Sequence, residues 1–235
     1  MKRRRFVLAS VLAVAVGSAT LAACGEPEYE YVRNRQARTA FKIPHGWTVF
    51  DEAAMQGGDP EETQASTPDP IDWLVGLDGD PSPAREHVLS VADGYDTAYP
   101  HGIAAVYRLS TLARERVSLS ALRNILIPID TIGQEGSEAI SIIAYDDRLD
   151  VDGYRGLHLE AQVSISALEA ALGLGGASGD ASSLANDEYL HINQTAYMDP
   201  SADKVYILAV LCSAECYERN RDDIETVVDS WAVIA

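Results

Sequence analysis

The sequence predicts an α+β fold, an antiparallel sheet flanked by helices. Three observations lead there. Several stretches alternate apolar and polar residues with a period of two, which puts successive side chains on opposite faces of a strand. The longest of these come as neighbours joined by short turns rich in Asp, Gly and Pro, the pattern of antiparallel hairpins. Two further segments repeat their apolar residues at helical spacing instead.

The elements follow in order. The domain opens at Thr39-Ala40-Phe41-Lys42-Ile43-Pro44, a short alternating strand. His45-Gly46 turns the chain, and Trp47-Thr48-Val49-Phe50 continues as its partner strand. Gly57 to Pro70 is a surface loop by composition. Trp73 to Leu77 is a strand, Asp78 to Tyr99 is irregular with a helical turn around Ala84 to Leu89, and Ile103 to Leu109 is a strand again. Ser118 caps a helix whose Leu119, Leu122, Ile125 and Leu126 share a face, and Pro128 ends it. Ile140 to Asp147 pairs with the strand around Leu157, Leu159, Ala161, Val163 and Ile165, turning near Asp152-Gly153. Leu172 to Ala185 is a Gly- and Ser-rich loop. Tyr189 to Met198 and Lys204 to Ser213 form a second hairpin around Asp199 to Asp203, and the later strand is apolar on both faces, hence central. A last helix runs from about Tyr217 to Ser230, with Ile224, Val227, Val228 and Trp231 on one stripe. Trp47 and Trp231 are expected inside, as anchors of the first hairpin and the last helix.

The N-terminus carries a different message. Lys2, Arg3, Arg4 and Arg5 precede an apolar run from Phe6 to Val16, interrupted only by Ser10. That run falls short of the ~20 residues a membrane-spanning helix needs, and reads as a signal peptide. It ends in Leu21-Ala22-Ala23-Cys24, which resembles the bacterial lipobox, where the Cys thiol takes a diacylglyceryl group before cleavage ahead of it. The expected organisation is therefore a lipoprotein signal peptide over 1–23, a flexible tether over 24–37 anchored at Cys24, and a single α+β domain over 38–235. Arg3-Arg4-Arg5-Phe6 also fits the twin-arginine export pattern, but four consecutive basic residues make such a match easy by chance, and the general secretory route is favoured.

Charge narrows the partners. The chain has 36 acidic and 18 basic side chains, a formal charge of −18. Removing 1–23 takes away four positive charges and no negative ones, which leaves −22. Nucleic acid is excluded, since a duplex-binding domain needs a basic patch. Anionic headgroups would repel the body as well, so attachment to a membrane must come from the diacylglyceryl anchor at Cys24, whose two chains hold where one is marginal. With Cys24 lipidated, Cys212 and Cys216 remain, an even pair expected to be disulfide-bonded in an oxidising compartment. Their C-x3-C spacing, without a basic residue between, argues against redox catalysis.

Phe41-Lys42-Ile43-Pro44-His45-Gly46-Trp47 resembles the opening hairpin of the PsbP-like fold: an apolar strand, Pro, any residue, Gly, Trp. The Val151-Asp152-Gly153-Tyr154-Arg155-Gly156 turn and the closing Val228-Asp229-Ser230-Trp231 are similar to that family too. The resemblance spans most of 38–235 and extends to actinobacterial lipoproteins of the LpqN type. It implies a PsbP-like α/β/α sandwich acting as an accessory or binding module, and brings no catalytic residues with it.

Catalytic patterns fail residue by residue. Gly176-Ala177-Ser178-Gly179-Asp180 lacks the last Gly of a nucleophile elbow. Gly173 to Ser178 ends on Ser where a phosphate-binding loop needs Gly. Arg148-Leu149-Asp150-Val151-Asp152-Gly153 nearly spells a calcium loop, but Arg148 takes the place of the first carboxylate and Leu159 the twelfth position. His158 and Glu160, with His191 and Asn193 on a second strand, could offer two imidazoles and a carboxylate to zinc or iron. The plainer reading makes them polar residues on the sheet's wetter face, with no metal and no cofactor. His45, His87 and His101 fall in turns or loops. Glu61-Glu62, Asp146-Asp147 and Asp222-Asp223 read as solvated faces, while Tyr95, Tyr99 and Tyr107 could line a contact or pack in the core. The function expected is a lipid-anchored accessory or interaction lipoprotein on the outer face of the cell membrane, without catalytic activity and with an envelope protein as possible partner. The alternative is a carrier of a small apolar or metal ligand at the envelope.

Overall fold

A strand that is apolar on both faces has to be covered from both sides. The segment 204–213 imposes that condition on the molecule. A computed structural model describes residues 27–56, 71–89, 98–135, 138–149, 152–173 and 189–234. In it β9 (Lys204–Ser213) lies fourth of seven strands, between β5 (His101–Arg108) and β8 (Tyr189–Met198). β4 (Ile71–Asp78) and β3 (Thr48–Phe50) continue the sheet past β5, and β7 (Arg155–Ser164) and β6 (Ile140–Leu149) continue it past β8. All six pairings are antiparallel.

Each face has its own core. Tyr206, Leu208, Val210 and Cys212 of β9 point to one side, and Val205 and Ile207 to the other. The first side is closed by the helix Ala214–Asp229 and by a small sheet of β1 (Tyr29–Asn34), β2 (Thr39–Pro44) and β10 (Ala232–Val233). Six short helices lie on the second side: α1 (Glu52–Gln56), α2 (Arg85–Leu89), α3 (Thr111–Arg116), α4 (Leu119–Arg123), α5 (Ile129–Glu135) and α6 (Ile165–Leu172). Among the described residues the long helix is the seventh, α7. Gly76 lets two of the short helices approach, because a Cβ there would stand 2.5 Å from the Met55 sulfur of α1 and 3.2 Å from Val88 of α2. The architecture is the predicted one, a mixed α+β fold with antiparallel sheets flanked by helices.

Several local predictions change. The first strand does not pair with Trp47 to Phe50. β2 pairs with β1 on one edge and β10 on the other, while β3 pairs with β4. His45-Gly46 thus carries the chain from the small sheet to the large one. Residues 29–34, read as tether, are a strand in register with β2 from Tyr29↔Pro44 to Asn34↔Thr39. Their composition hid them because only Val32 packs on the core, and Tyr31 is 60 % exposed. Arg38 (φ 59°) closes the turn, and the Asn34 side chain accepts from the Ala37 amide at 2.9 Å. The helix capped by Ser118 ends at Arg123, and Pro128 precedes α5 rather than merely stopping α4. Ile165 begins α6 instead of ending a strand. The residues 1–26, which include Cys24, and 174–188, which hold most of the Gly- and Ser-rich loop, lie outside the described residues.

The two tryptophans part company. Trp231 is 3 % exposed, stacks on Trp73 (6.3 Å between ring centroids, 9° between planes) and meets Phe41 edge-on at 5.6 Å. It joins α7, the large sheet and the small sheet at one point. Trp47 is half-buried at the rim of the same core, with its ring against Gly79. Trp231→Ala is therefore expected to cost about 3–5 kcal/mol, a large part of a domain's ~5–15 kcal/mol. Trp47→Ala is expected to cost clearly less. Urea unfolding of the two variants, followed by tyrosine fluorescence, measures the difference.

Candidate functional site

The residues singled out by sequence meet on one surface of the sheet. Alternation turns Leu157, Leu159, Ala161 and Val163 of β7 to the short helices, so His158, Glu160, Gln162 and Ser164 face α7. On β8 the same rule sends His191 and Asn193 to α7. The register places Glu160 opposite Asn193 and Gln162 opposite His191. This face is not wet, contrary to the sequence reading. His191 and Asn193 are each 1 % exposed, Glu160 8 % and His158 9 %, because α7 lies over them.

Polar groups in such a place must be paired, and these pair with one another. The Glu160 carboxylate accepts from His191 Nε2 at 2.9 Å, and Gln162 donates to His191 Nδ1 at 3.4 Å. Asn193 Oδ1 accepts from His158 Nε2 at 2.8 Å, and its Nδ2 donates to the Tyr217 hydroxyl at 2.9 Å. Accepting at Nδ1 and donating at Nε2, His191 is thereby the neutral Nε2–H tautomer. Tyr217 of α7 stacks on His191 with ring centroids 3.4 Å apart and planes 7° from parallel. Arg221, one turn on, lies 4.9 Å over the Tyr217 ring and 3.8 Å from Glu160, and also reaches Glu218 and Glu225.

Sequence reading missed Tyr217 and Arg221. Their signal was present, since Tyr217, Arg221, Ile224 and Val228 follow one helical stripe, but the stripe was read only from Ile224 onward. Metal ligation would need the side chains to converge on one point. Here His158 and His191 are turned to separate partners, and among the described residues no three His, Cys, Asp or Glu side chains form a group able to hold an ion.

The disulfide borders this network. Cys212 and Cys216 are bonded, 5.8 Å apart at Cα and both wholly buried. Cys212 stands opposite His191 on the neighbouring strand, and Cys216 precedes Tyr217, so the bond fixes the first turn of α7 where Tyr217 covers His191. Ser213 caps that turn by accepting from the Cys216 amide at 3.2 Å. At Asn220 the helix breaks (φ −117°, ψ 17°), and its side-chain amide donates to the Cys216 carbonyl at 2.8 Å.

The remaining candidates are scattered. His87 Nδ1 lies 2.8 Å from Asp78, a carboxylate 1 % exposed that also accepts from the amides of Asp80 and Ala84. His45 meets Glu30 at the surface, and His101 is buried. Arg148, at the head of the near-miss calcium loop, pairs with Asp229 of α7 at 2.9 Å. Asp146, Asp147 and Asp222 are exposed, whereas Asp223 is half-buried and accepts from the Tyr29 hydroxyl at 3.1 Å. Tyr99 is exposed and Tyr107 packs against the second core; Glu61, Glu62 and Tyr95 lie outside the described residues. An acid-rich cleft of about 540 Å³ runs along α7 beside Lys42, Asp222, Glu225 and Asp229. An apolar pocket of about 110 Å³ sits between Val88, Ile103, Ile127, Leu168, Leu172 and Leu211.

Comparison with known proteins gives likeness of fold. The chain is similar to the solution structure of cyanobacterial PsbP (CyanoP) from Synechocystis sp. PCC 6803, with 12 % identity, TM-score 0.47, and 92 % of this chain and 98 % of that one covered. It is also similar to the Saccharomyces cerevisiae Ran-binding protein Mog1p, with 9 % identity, TM-score 0.42, and 88 % and 95 % covered. No protein-family model matches it, and neither does any curated protein.

Two measurements follow from this geometry. Burial holds His191 below its ordinary value of 6.5, against the pull of Glu160, with Arg221 also lowering it and Glu218 raising it. A base whose folded value is depressed contributes stability that is complete above the unfolded value and is lost as the pH falls through it, since the unfolded chain then takes the proton first. The urea midpoint is expected to fall on moving from pH 7 to pH 5, and His191→Gln to flatten that slope. The disulfide closes a short loop, so replacing both Cys212 and Cys216 by Ser is expected to cost about 2 kcal/mol. Intact mass of the protein purified without reductant should be short by two hydrogens.

Proposed function

We propose that the chain is a lipid-anchored accessory or interaction lipoprotein of the PsbP-like, LpqN type. In this reading it is held on the outer face of the cell membrane through Cys24 and does no catalysis. The observation that carries this is Leu21-Ala22-Ala23-Cys24 behind a basic and then apolar leader. A formal charge of −18 makes a lipid, rather than the protein surface, the means of attachment. Among the described residues no helix is long and apolar enough to cross a membrane. The Cys212–Cys216 bond suits an oxidising compartment.

The absence of catalysis draws on how the polar side chains are used. His158, Glu160, His191 and Asn193 have the chemistry of an acid–base site, yet each is held by another protein group beneath α7. A general base must reach a substrate proton, and these face the interior. The alternative, a carrier of a small apolar ligand, draws on the pocket beside Leu168 and Leu211. Its ~110 Å³ is well below the ~300–1,000 Å³ of small-molecule sites and fits only a few methylene groups.

Cys24→Ala tests the anchor. The wild-type chain is expected to take up radioactive fatty acid and partition with detergent, and the variant to lose both. A variant that is still labelled would refute the lipoprotein reading.

A further inference from the structure

A sheet that ends in a free strand offers a row of unpaired amides and carbonyls to any extended chain that arrives. The seven-stranded sheet ends differently on its two sides. At one end β3 is three residues long, short enough to pair with little. At the other β6 runs for ten residues, Ile140–Leu149, and among the described residues it pairs on one side only, with β7.

Edges are normally blunted by lysine and other charges, by proline, by bulges or by shortness. Of these β6 carries one irregularity and a charged end with two adjacent acids. β6 has no lysine and no proline. Instead it shows Ile142 and Ile143, each 50 % exposed, and Tyr145, 39 % exposed, around an irregularity in the pairing between Ile142 and Ala144. The strand then continues as Asp146 and Asp147, both exposed. They stand opposite His158 and Leu157, hence on the two faces of the sheet. Arg148, which could have neutralised them, is engaged by Asp229 on α7. The edge therefore pairs an apolar half with an acidic half.

We propose that β6 is a docking edge that receives an extended segment of another envelope protein as a further antiparallel strand. This rests on the reading of the chain as an anchored interaction module and names its contact. The backbone of β6 supplies the hydrogen bonds, and the side chains select the sequence, as in strand addition generally. Every pairing in the sheet is antiparallel, so the incoming segment runs opposite to β6. It meets Asp147 and Asp146 first with two consecutive basic residues, one to each face, and then Tyr145, Ile143 and Ile142 with apolar ones. A second copy of this chain is a poorer occupant, since it brings the same two aspartates and another formal charge of −18.

The test uses the full chain in detergent and a fluorescent peptide of two lysines followed by alternating valine and threonine, read by anisotropy. The peptide is expected to bind, more weakly as salt rises. Asp146→Lys with Asp147→Lys should weaken it by about tenfold, and a version with glutamates for lysines should then prefer that variant. The same peptide N-methylated on alternate amides should not bind. No binding, or binding indifferent to N-methylation and to the charge reversal, overturns the proposal. So does sedimentation showing a dimer that Ile143→Lys dissociates, which would assign the edge to a second copy. Fatty-acid labelling at Cys24 is read independently of the peptide, so the docking edge and the anchored-lipoprotein reading fail separately.

Discussion

The structure is organised around a strand that has no wet face. Val205, Ile207, Leu208 and Val210 of β9 are all fully buried, and they alternate between the two sides of the sheet. Each fully buried aliphatic side chain is worth about 1.5–3 kcal/mol over exposure, so neither side can be left open. One long helix and a small sheet cover one face. Six short helices cover the other. Strand order follows: β9 takes the centre, and the edges fall to β3, which is short, and β6, which carries polar and exposed residues.

The layer under α7 is not uniformly apolar, and that has a consequence for how the helix sits. Greasy contacts are non-directional and tolerate sliding. The network of His158, Glu160, His191, Asn193 and Tyr217 is directional, and a shift of α7 would leave buried donors and acceptors unpaired at about 1–3 kcal/mol each. The Cys212–Cys216 bond holds the same turn covalently. At the far end, the Ser230 hydroxyl accepts from the Lys42 amide at 2.8 Å and donates to Val227 at 2.9 Å, while Trp231 fills the junction of the two sheets. The helix is thus pinned at both ends. Its kink at Asn220 falls between Tyr217 and Arg221, the two residues that cover the polar group.

The proposed recognition role draws on how the polar groups of the domain are used. Its ionisable interior groups are spent on each other, and its clefts along α7 are shallow and acidic. What the body leaves available is surface: an acidic exterior, and a long sheet edge at β6 that is apolar in one half and acidic in the other. In the function proposed above, attachment through a lipid at Cys24 would leave that surface free to meet a neighbour.

The sequence by itself determined the periodicities, and with them most of the elements. Alternation over 157–163, 189–198 and 204–213 identified the central strands, the double-sided pattern of 204–213 put that strand in the middle, and the 224–231 stripe identified the last helix with Trp231 inward. The Cys212 and Cys216 pairing was legible because both ends of a short loop lie on those elements. Which strand neighbours which was decided by the tertiary structure. Residues 29–34 became a strand because β2 needed a partner, not because six largely polar residues favour one. Trp47 lost its place at the centre of a hairpin because β3 joined the other sheet. The polarity of His158, Glu160, His191 and Asn193 was plain in the sequence, yet it pointed to a wet face. Alternation tells which residues share a face, but only the packing of α7 decided that this face is covered, and by a tyrosine and an arginine placed to satisfy it.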